Sequence, residues 1–242
     1  MVIIRNEKHI ANRRRIGLTT SLAGIAILIG GMIVSLIGDP TTYGLLPLLA
    51  LPLGFLLSQV GLYFSHRYVR SPRPDERIDE GLRKAAKGSR LYHYVLPIPH
   101  VILSPGGVIA IVSKYQSGNI IADGYKWTQK GLGLRRFFGQ ENIGNPSTEA
   151  EYQIKQLAKY ISRNAPELAE KEIPMSAIIV FTTKEGGELD LRNSTIPALH
   201  YTKLKGFWKQ RKNDARLPES DFKALQAAFD AAAGEDAVEE MA

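Results

Sequence analysis

The sequence has no cysteine, which excludes disulfides, thiolate nucleophiles and cysteine-ligated zinc or iron–sulfur centres. Its five histidines (His9, His66, His93, His100, His200) show none of the short spacings that gather side chains round a metal ion, so no metal site is expected. There is no Gly-x-x-x-x-Gly-Lys loop, no Gly-x-Ser-x-Gly and no His-Glu-x-x-His. The commonest signatures of nucleotide hydrolysis, acyl transfer and zinc proteolysis are therefore missing. Charge is missing too, from one long stretch: between Ile16 and Phe64 the single charged residue is Asp39. The mean hydropathy of −0.12 thus averages two unlike parts.

The uncharged stretch divides into Ile16–Gly38 and Tyr43–Phe64. Each is long enough, at about 1.5 Å per helical residue, to cross roughly 30 Å of hydrocarbon. Asp39-Pro-Thr-Thr between them leaves room only for a tight antiparallel turn. Arg5, Lys8, Arg13, Arg14 and Arg15 precede the first run, Arg67, Arg70, Arg73 and Arg77 follow the second, and the turn carries no Lys or Arg. Through residue 70 the chain has seven Lys/Arg against two Asp/Glu, so most of its net +7 sits at the base of this hairpin. The positive-inside rule then predicts a two-span inner-membrane protein with both termini and the rest of the chain in the cytoplasm. A second span following at once, with no small-x-small site, argues against a cleaved signal peptide. Gly31-x-x-x-Ser35 and Gly54-x-x-x-Ser58 offer small surfaces where the two helices can meet.

The remainder reads as one α/β domain. A basic segment, 1–15, precedes the spans (16–38 and 43–64), and a linker over 65–74 contains Ser71-Pro-Arg-Pro. The domain then covers 75–233, and an acidic tail, 234–242, is expected to be disordered. Apolar periodicity predicts a helix over 75–87 stopped by Gly88, and a strand over 91–96. Val101–Leu103 and Val108–Val112 flank Ser104-Pro105-Gly106-Gly107, a tight hairpin of buried strands. A second hairpin turns at Asp123-Gly124. Asn145 and Pro146 have the chemistry of a helix start, and Ala150, Ile154, Leu157 and Ile161 continue one stripe. Met175–Thr182 is a continuous apolar strand, 184–194 a polar loop, 197–201 an edge strand, 202–212 a basic helix, and Pro218 starts a last amphipathic helix. The fold class is α/β: a two-helix membrane hairpin followed by a mixed central sheet flanked by helices.

The stretch Ile98–Gly118, I-P-H-V-I-L-S-P-G-G-V-I-A-I-V-S-K-Y-Q-S-G, resembles the core of the nuclease-related domain (NERD) family, which has the PD-(D/E)xK nuclease-like fold. His100, Gly107, Lys114 and Gly118 fall on that family's pattern. Trp127 and the Asn145-Pro146 string resemble its later landmarks, with Glu149 where the family has glutamine. The two metal-binding carboxylates are absent: Pro99 stands where the family has aspartate and Val112 where it has glutamate. Cleavage of a phosphodiester in this fold needs a divalent ion, usually Mg²⁺, held by oxygen ligands, and proline and valine supply none. The resemblance therefore implies the fold with a vestigial Lys114 and a core that does not cut.

On this reading no cofactor is expected. The chain would bind nucleic acid or a protein partner at the membrane. Arg135 and Arg136 in the glycine-punctuated loop, and Lys203, Lys205, Lys209, Arg211 and Lys212 in the basic helix, are the expected contacts for phosphates or anionic lipid. One alternative is a Mg²⁺-dependent nuclease with relocated ligands, drawn from Glu80, Ser113, Asp123, Glu149 and Glu151. Another is a structural membrane protein whose domain touches anionic lipid. Trp127 reads as a packing residue and His100 as a hydrogen-bonded structural histidine.

Overall fold

The computed structural model describes residues 1–133, 141–183, 187–211, 216–234 and 237–241, and the chain divides into two compact units. One contains the hairpin, His9–Arg73, while the other joins Met1–Lys8 to the chain from Pro74 onward.

The hairpin consists of α1 (Glu7–Ile37), a single turn α2 (Pro40–Tyr43) and α3 (Leu45–Phe64). Both long helices are long and apolar enough to cross a membrane; their most apolar windows have mean hydropathies of 2.2 and 1.9. Only 6% and 11% of those windows is buried, whereas a core helix of a soluble protein with this composition would be covered. Asp39 organises the turn. Its carboxylate accepts from Thr41 N at 3.2 Å and from the Thr41 and Thr42 hydroxyls at 2.6 and 2.7 Å. The helices meet along glycines seven residues apart, Gly17, Gly24 and Gly31. A methyl added at Gly24 would lie 2.6 Å from Ser58 Oγ and 2.9 Å from Gly54 O. Gly54 and Ser58 thus serve the contact as their spacing suggests, but Ser35 is exposed and its place is taken by the heptad spacing of small residues. At the base, Arg13 lies over the Phe64 ring at 5.6 Å and His9 packs on Tyr68 at 5.9 Å. Part of the expected linker is helical: Ser65–Val69 forms one π-helical segment.

In chain order the strands of the other unit are β1 (Val2–Asn6), β2 (Arg90–His93), β3 (His100–Ser104), β4 (Gly107–Lys114), β5 (Asn119–Gly124), β6 (Lys126–Lys130), β7 (Met175–Phe181), β8 (Leu189–Ser194), β9 (Ala198–His200) and β10 (Ala237–Met241). Its helices are α4 (Pro74–Leu82), α5 (Pro146–Asn164), α6 (Leu204–Gln210) and α7 (Glu219–Ala233). A seven-stranded mixed sheet runs β10-β1-β2-β3-β4-β7-β9, and a three-stranded sheet runs β6-β5-β8. Ser104 pairs with Gly107, so Pro105-Gly106 is a two-residue hairpin loop. Gly107 has φ +122°, a conformation only glycine adopts without strain. Side chains alternate across the sheet as the two-residue strand period requires. Val108, Ala110 and Val112 face α5 and α7 with Leu157, Ile161, Leu225 and Phe229. Ile109 and Ile111 face the other way, toward Ile78 and Leu82 of α4 and Leu204 of α6.

Four boundaries differ from the sequence expectation. The acidic tail is not disordered at 237–241 but forms β10, antiparallel to β1. Its partner is more than two hundred residues away, and composition carries no trace of that pairing. Glu239 and Glu240 reach Arg90 and Arg83, at 3.7 and 3.0 Å. Residues 2–6 likewise form an interior strand, parallel to β2, so the α/β unit does not start at 75. The expected loop 184–194 contains β8, which pairs with β5. Helix α4 stops at Leu82 rather than Lys87, and Ala85 and Ala86 continue as turns bonded to Leu82 O.

Candidate functional site

Lys114 ends β4 on the α5 face of the sheet. Its strand partner across β7 is Phe181, and Thr182 N bonds back to Lys114 O at 2.7 Å, which fixes the backbone. The side chain is buried, and Nζ donates to a carboxylate oxygen of Glu149 and to Ile143 O, the latter at 3.3 Å. Glu149 stands in the first turn of α5, where a negative charge also suits the helix dipole. Asn145 caps that helix, accepting from Ser147 N at 3.1 Å and Thr148 N at 3.2 Å, and Pro146 is its first residue. Two chain segments distant in sequence thus bring Lys114 and Glu149 together.

The positions beside this pair are apolar. Val112, two residues before Lys114 on the same face, is fully buried among core side chains. Extending the β3–β4 register by two pairs of residues sets Pro99 opposite Val112. A divalent ion placed here would find one carboxylate, already bonded to a buried lysine, and two hydrocarbon side chains. That donor set does not suit Mg²⁺, which needs near-octahedral oxygen coordination. No group of three or more His, Asp or Glu suited to a metal exists among the described residues. Trp127 is half-buried, donates Nε1–H to Ser147 Oγ at 2.9 Å and packs on Phe181 at 6.2 Å, so it supports the start of α5.

His100 lies on the opposite face. Pairing aligns Arg5 of β1 with His93 of β2, and His93 with His100 of β3, in one row across three strands. Helix α4 covers this row with Asp75 and Asp79, both buried. His93 bridges the row, with Nε2 at 2.9 Å from Asp79 Oδ1 and Nδ1 at 2.8 Å from His100 Nδ1. Arg5 is ion-paired to Asp79 and, through Nε at 2.9 Å, to Asp75. A direct Nδ1–Nδ1 contact holds a single proton between the rings, so this pair excludes two imidazolium ions. Burial, followed by the neighbouring His93, pushes the His100 pKa well below the usual histidine range.

Sequence reasoning missed Arg5, Asp75, Asp79 and His93 and chose the wrong acids in α4. Glu80 is exposed, with Arg77 as an ion-pair partner at 4.0 Å, on the far side of the sheet from Lys114. It cannot join Lys114 in one site. The signal was present: Asp75 and Asp79 share the helical stripe of Ile78 and Leu82, whereas Glu76 and Glu80 do not. Of the other relocated-ligand candidates, Asp123 is exposed, Ser113 faces away from Lys114, and Glu151 accepts from Tyr125 Oη at 2.6 Å. Lys203, Lys205 and Lys209 are exposed on or beside α6, while Arg211 is half-buried and donates to Ser176 Oγ at 3.2 Å. Arg135, Arg136 and Lys212 lie outside the described residues. Gly118 has φ +97° with Lys130 O close by, consistent with a required glycine.

Residues 77–182 match the family model of the nuclease-related domain, from α4 through the end of β7. The matched segment includes His100, Gly107, Lys114, Gly118, Trp127, Asn145, Pro146 and Glu149. It leaves out β1, β10 and the hairpin. No curated protein and no solved structure matches the chain.

Proposed function

We propose that the nuclease-related segment 77–182 is the core of a membrane-anchored protein that binds nucleic acid at the inner face of the membrane without cutting it. The observation that carries this reading is the state of Lys114. In a metal-dependent nuclease a lysine here would stabilise charge developing on a phosphate held by the ion. In this chain it is bonded to Glu149 and Ile143 O, and the two positions that would bring the ion are Val112 and Pro99.

The anchor rests on the hairpin. Two spans return the chain to the side on which it started, and Met1–Lys8 and the chain from Pro74 fall in one compact unit, which supports that arrangement. Arginines and lysines at both ends of the hairpin favour the cytoplasmic side. The exposed lysines 203 and 205 supply a surface for phosphates.

The test uses the full chain in detergent, mixed with labelled DNA and RNA, with and without Mg²⁺ or Mn²⁺, scoring retention and cleavage on one gel. Retention without cleavage is expected. It should weaken steeply with salt and weaken further when Lys203 and Lys205 are both changed to Glu. Metal-dependent cleavage abolished by Lys114→Ala would overturn the reading in favour of a nuclease with relocated ligands.

A further inference from the structure

A cavity of about 290 Å³ opens on the α4 and α6 side of the large sheet, at the Pro105-Gly106 end of the β3–β4 hairpin. Lys114 is at the other end of β4, seven residues on, or roughly 23 Å at about 3.3 Å per strand residue, and on the opposite face. The two places are separate sites.

Five cations line the cavity, Lys84, Lys87, Lys209, Arg211 and Arg216, and no carboxylate lines it among the described residues. Lys84, Lys87, Lys209 and Arg216 make no ion pair with any described carboxylate, although Arg83 and Arg90 close by are both paired. Like charges converging on one cavity are mutually repulsive, and a concave wall concentrates their field. A bound anion relieves that repulsion. A second observation comes from the floor. Ser89 is 2% exposed, and its Oγ has no hydrogen-bond partner among the described residues. Its backbone is held on both sides, N to Ala86 O at 3.2 Å and O from Val2 N at 3.0 Å, which keeps the residue in the cavity lining, with its hydroxyl unused just beneath the surface. A buried hydroxyl left unpaired is costly, and an acceptor oxygen at this place would satisfy it. Trp208 adds one aromatic wall.

We propose that this cavity binds a small anion carrying two or more phosphate groups, with Ser89 and the surrounding lysines and arginines on the phosphates. The volume is near the lower end of small-ligand pockets, about 300 Å³, which leaves room for the phosphates, with any ring the ligand carries lying against Trp208. The proposal does not depend on the state of Lys114, which lies on the other face of the sheet; the cavity shares α6 with Lys203 and Lys205, but neither of those lines it.

The test is calorimetric titration of the full chain in detergent with ATP, pyrophosphate, inorganic phosphate, adenosine and inositol trisphosphate. Pyrophosphate is expected to bind more tightly than phosphate, and adenosine not at all. ATP tighter than pyrophosphate would assign a nucleotide with its ring on Trp208. Inositol trisphosphate tighter than both would assign a lipid headgroup. Lys84→Glu with Arg216→Glu should lower the affinity at least about tenfold, since hydrogen bonds to charged groups are being removed. Ser89→Ala should lower it several-fold, while Lys155→Glu with Lys159→Glu on α5 should leave it unchanged. Circular dichroism checks that each variant folds, and the exposed positions of the four charges favour that outcome. No measurable binding of any phosphate compound, or equal losses in the cavity and α5 variants, would overturn the proposal.

Discussion

Lys114 shows how its neighbours decide what one side chain can do. Val112 beside it belongs to the hydrocarbon core and Glu149 occupies its ammonium group. The row on the other face is the more demanding polar feature. Arg5, Asp75, Asp79, His93 and His100 are withdrawn from water together, and removing one of the charged members would leave a partner buried without its counter-charge, at several kcal/mol. His100 makes the stability of this unit depend on pH. In the unfolded chain it takes up a proton near pH 6.5, whereas burial and His93, with a smaller contribution from Arg5, lower its folded pKa against the opposing pull of Asp75. Its contribution is fully present above about pH 6.5 and is lost as pH falls below that value toward the folded pKa. Thermal unfolding should therefore move to lower temperature between pH 7 and 5. His100→Gln should remove up to about 1.4 kcal/mol per pH unit of that slope. Tryptophan fluorescence is the suitable readout, because both tryptophans, Trp127 and Trp208, belong to the α/β unit.

Among strands and helices, β1 has the largest consequence. It is interior to the sheet, parallel to β2 and antiparallel to β10, and its Ile3 and Ile4 reach into the two cores on opposite faces. A fragment starting at residue 71 would lose this strand, leave the β2 edge unpaired and strip Asp75 and Asp79 of Arg5. Exposed edges of this kind recruit other chains. Fragment 71–242 should accordingly elute as aggregate in size-exclusion chromatography; a monodisperse, cooperatively unfolding fragment would show that β1 is dispensable. The hairpin seam follows a different rule. Small residues spaced by seven let two apolar helices approach closely, which packing in lipid requires and a soluble core does not.

The connectivity makes the hairpin an insertion into the α/β unit. The chain forms β1, leaves through residues 9–73 and returns at Pro74 to lay α4 on the same sheet. The return point is close to the exit: Arg5 Nε and Asp75 Oδ2 are 2.9 Å apart. Replacing residues 9–73 by a short glycine–serine linker should then give a soluble, folded protein that keeps both cores. Its far-ultraviolet spectrum should be mixed α/β and its unfolding cooperative. Precipitation of that form without detergent, under conditions where the full chain in detergent stays folded, would mean that the hairpin is needed for folding.

The sequence by itself determined what depends on neighbours along the chain. The absence of charge from Ile16 to Phe64 marks both long apolar helices, Ser104-Pro105-Gly106-Gly107 specifies a two-residue hairpin, and Asn145-Pro146 starts α5, because hydropathy, turn and cap chemistry are local. It also showed that Pro99 and Val112 supply no ligand. Only the tertiary structure decided which acids face inward on α4, that Lys114 is held by Glu149, and that five cations line a cavity without a described carboxylate. It alone also turned the two chain ends into paired strands. Each of these depends on groups far apart in sequence meeting at one place, and the free energy of burying or pairing them exists only once the sheet has closed.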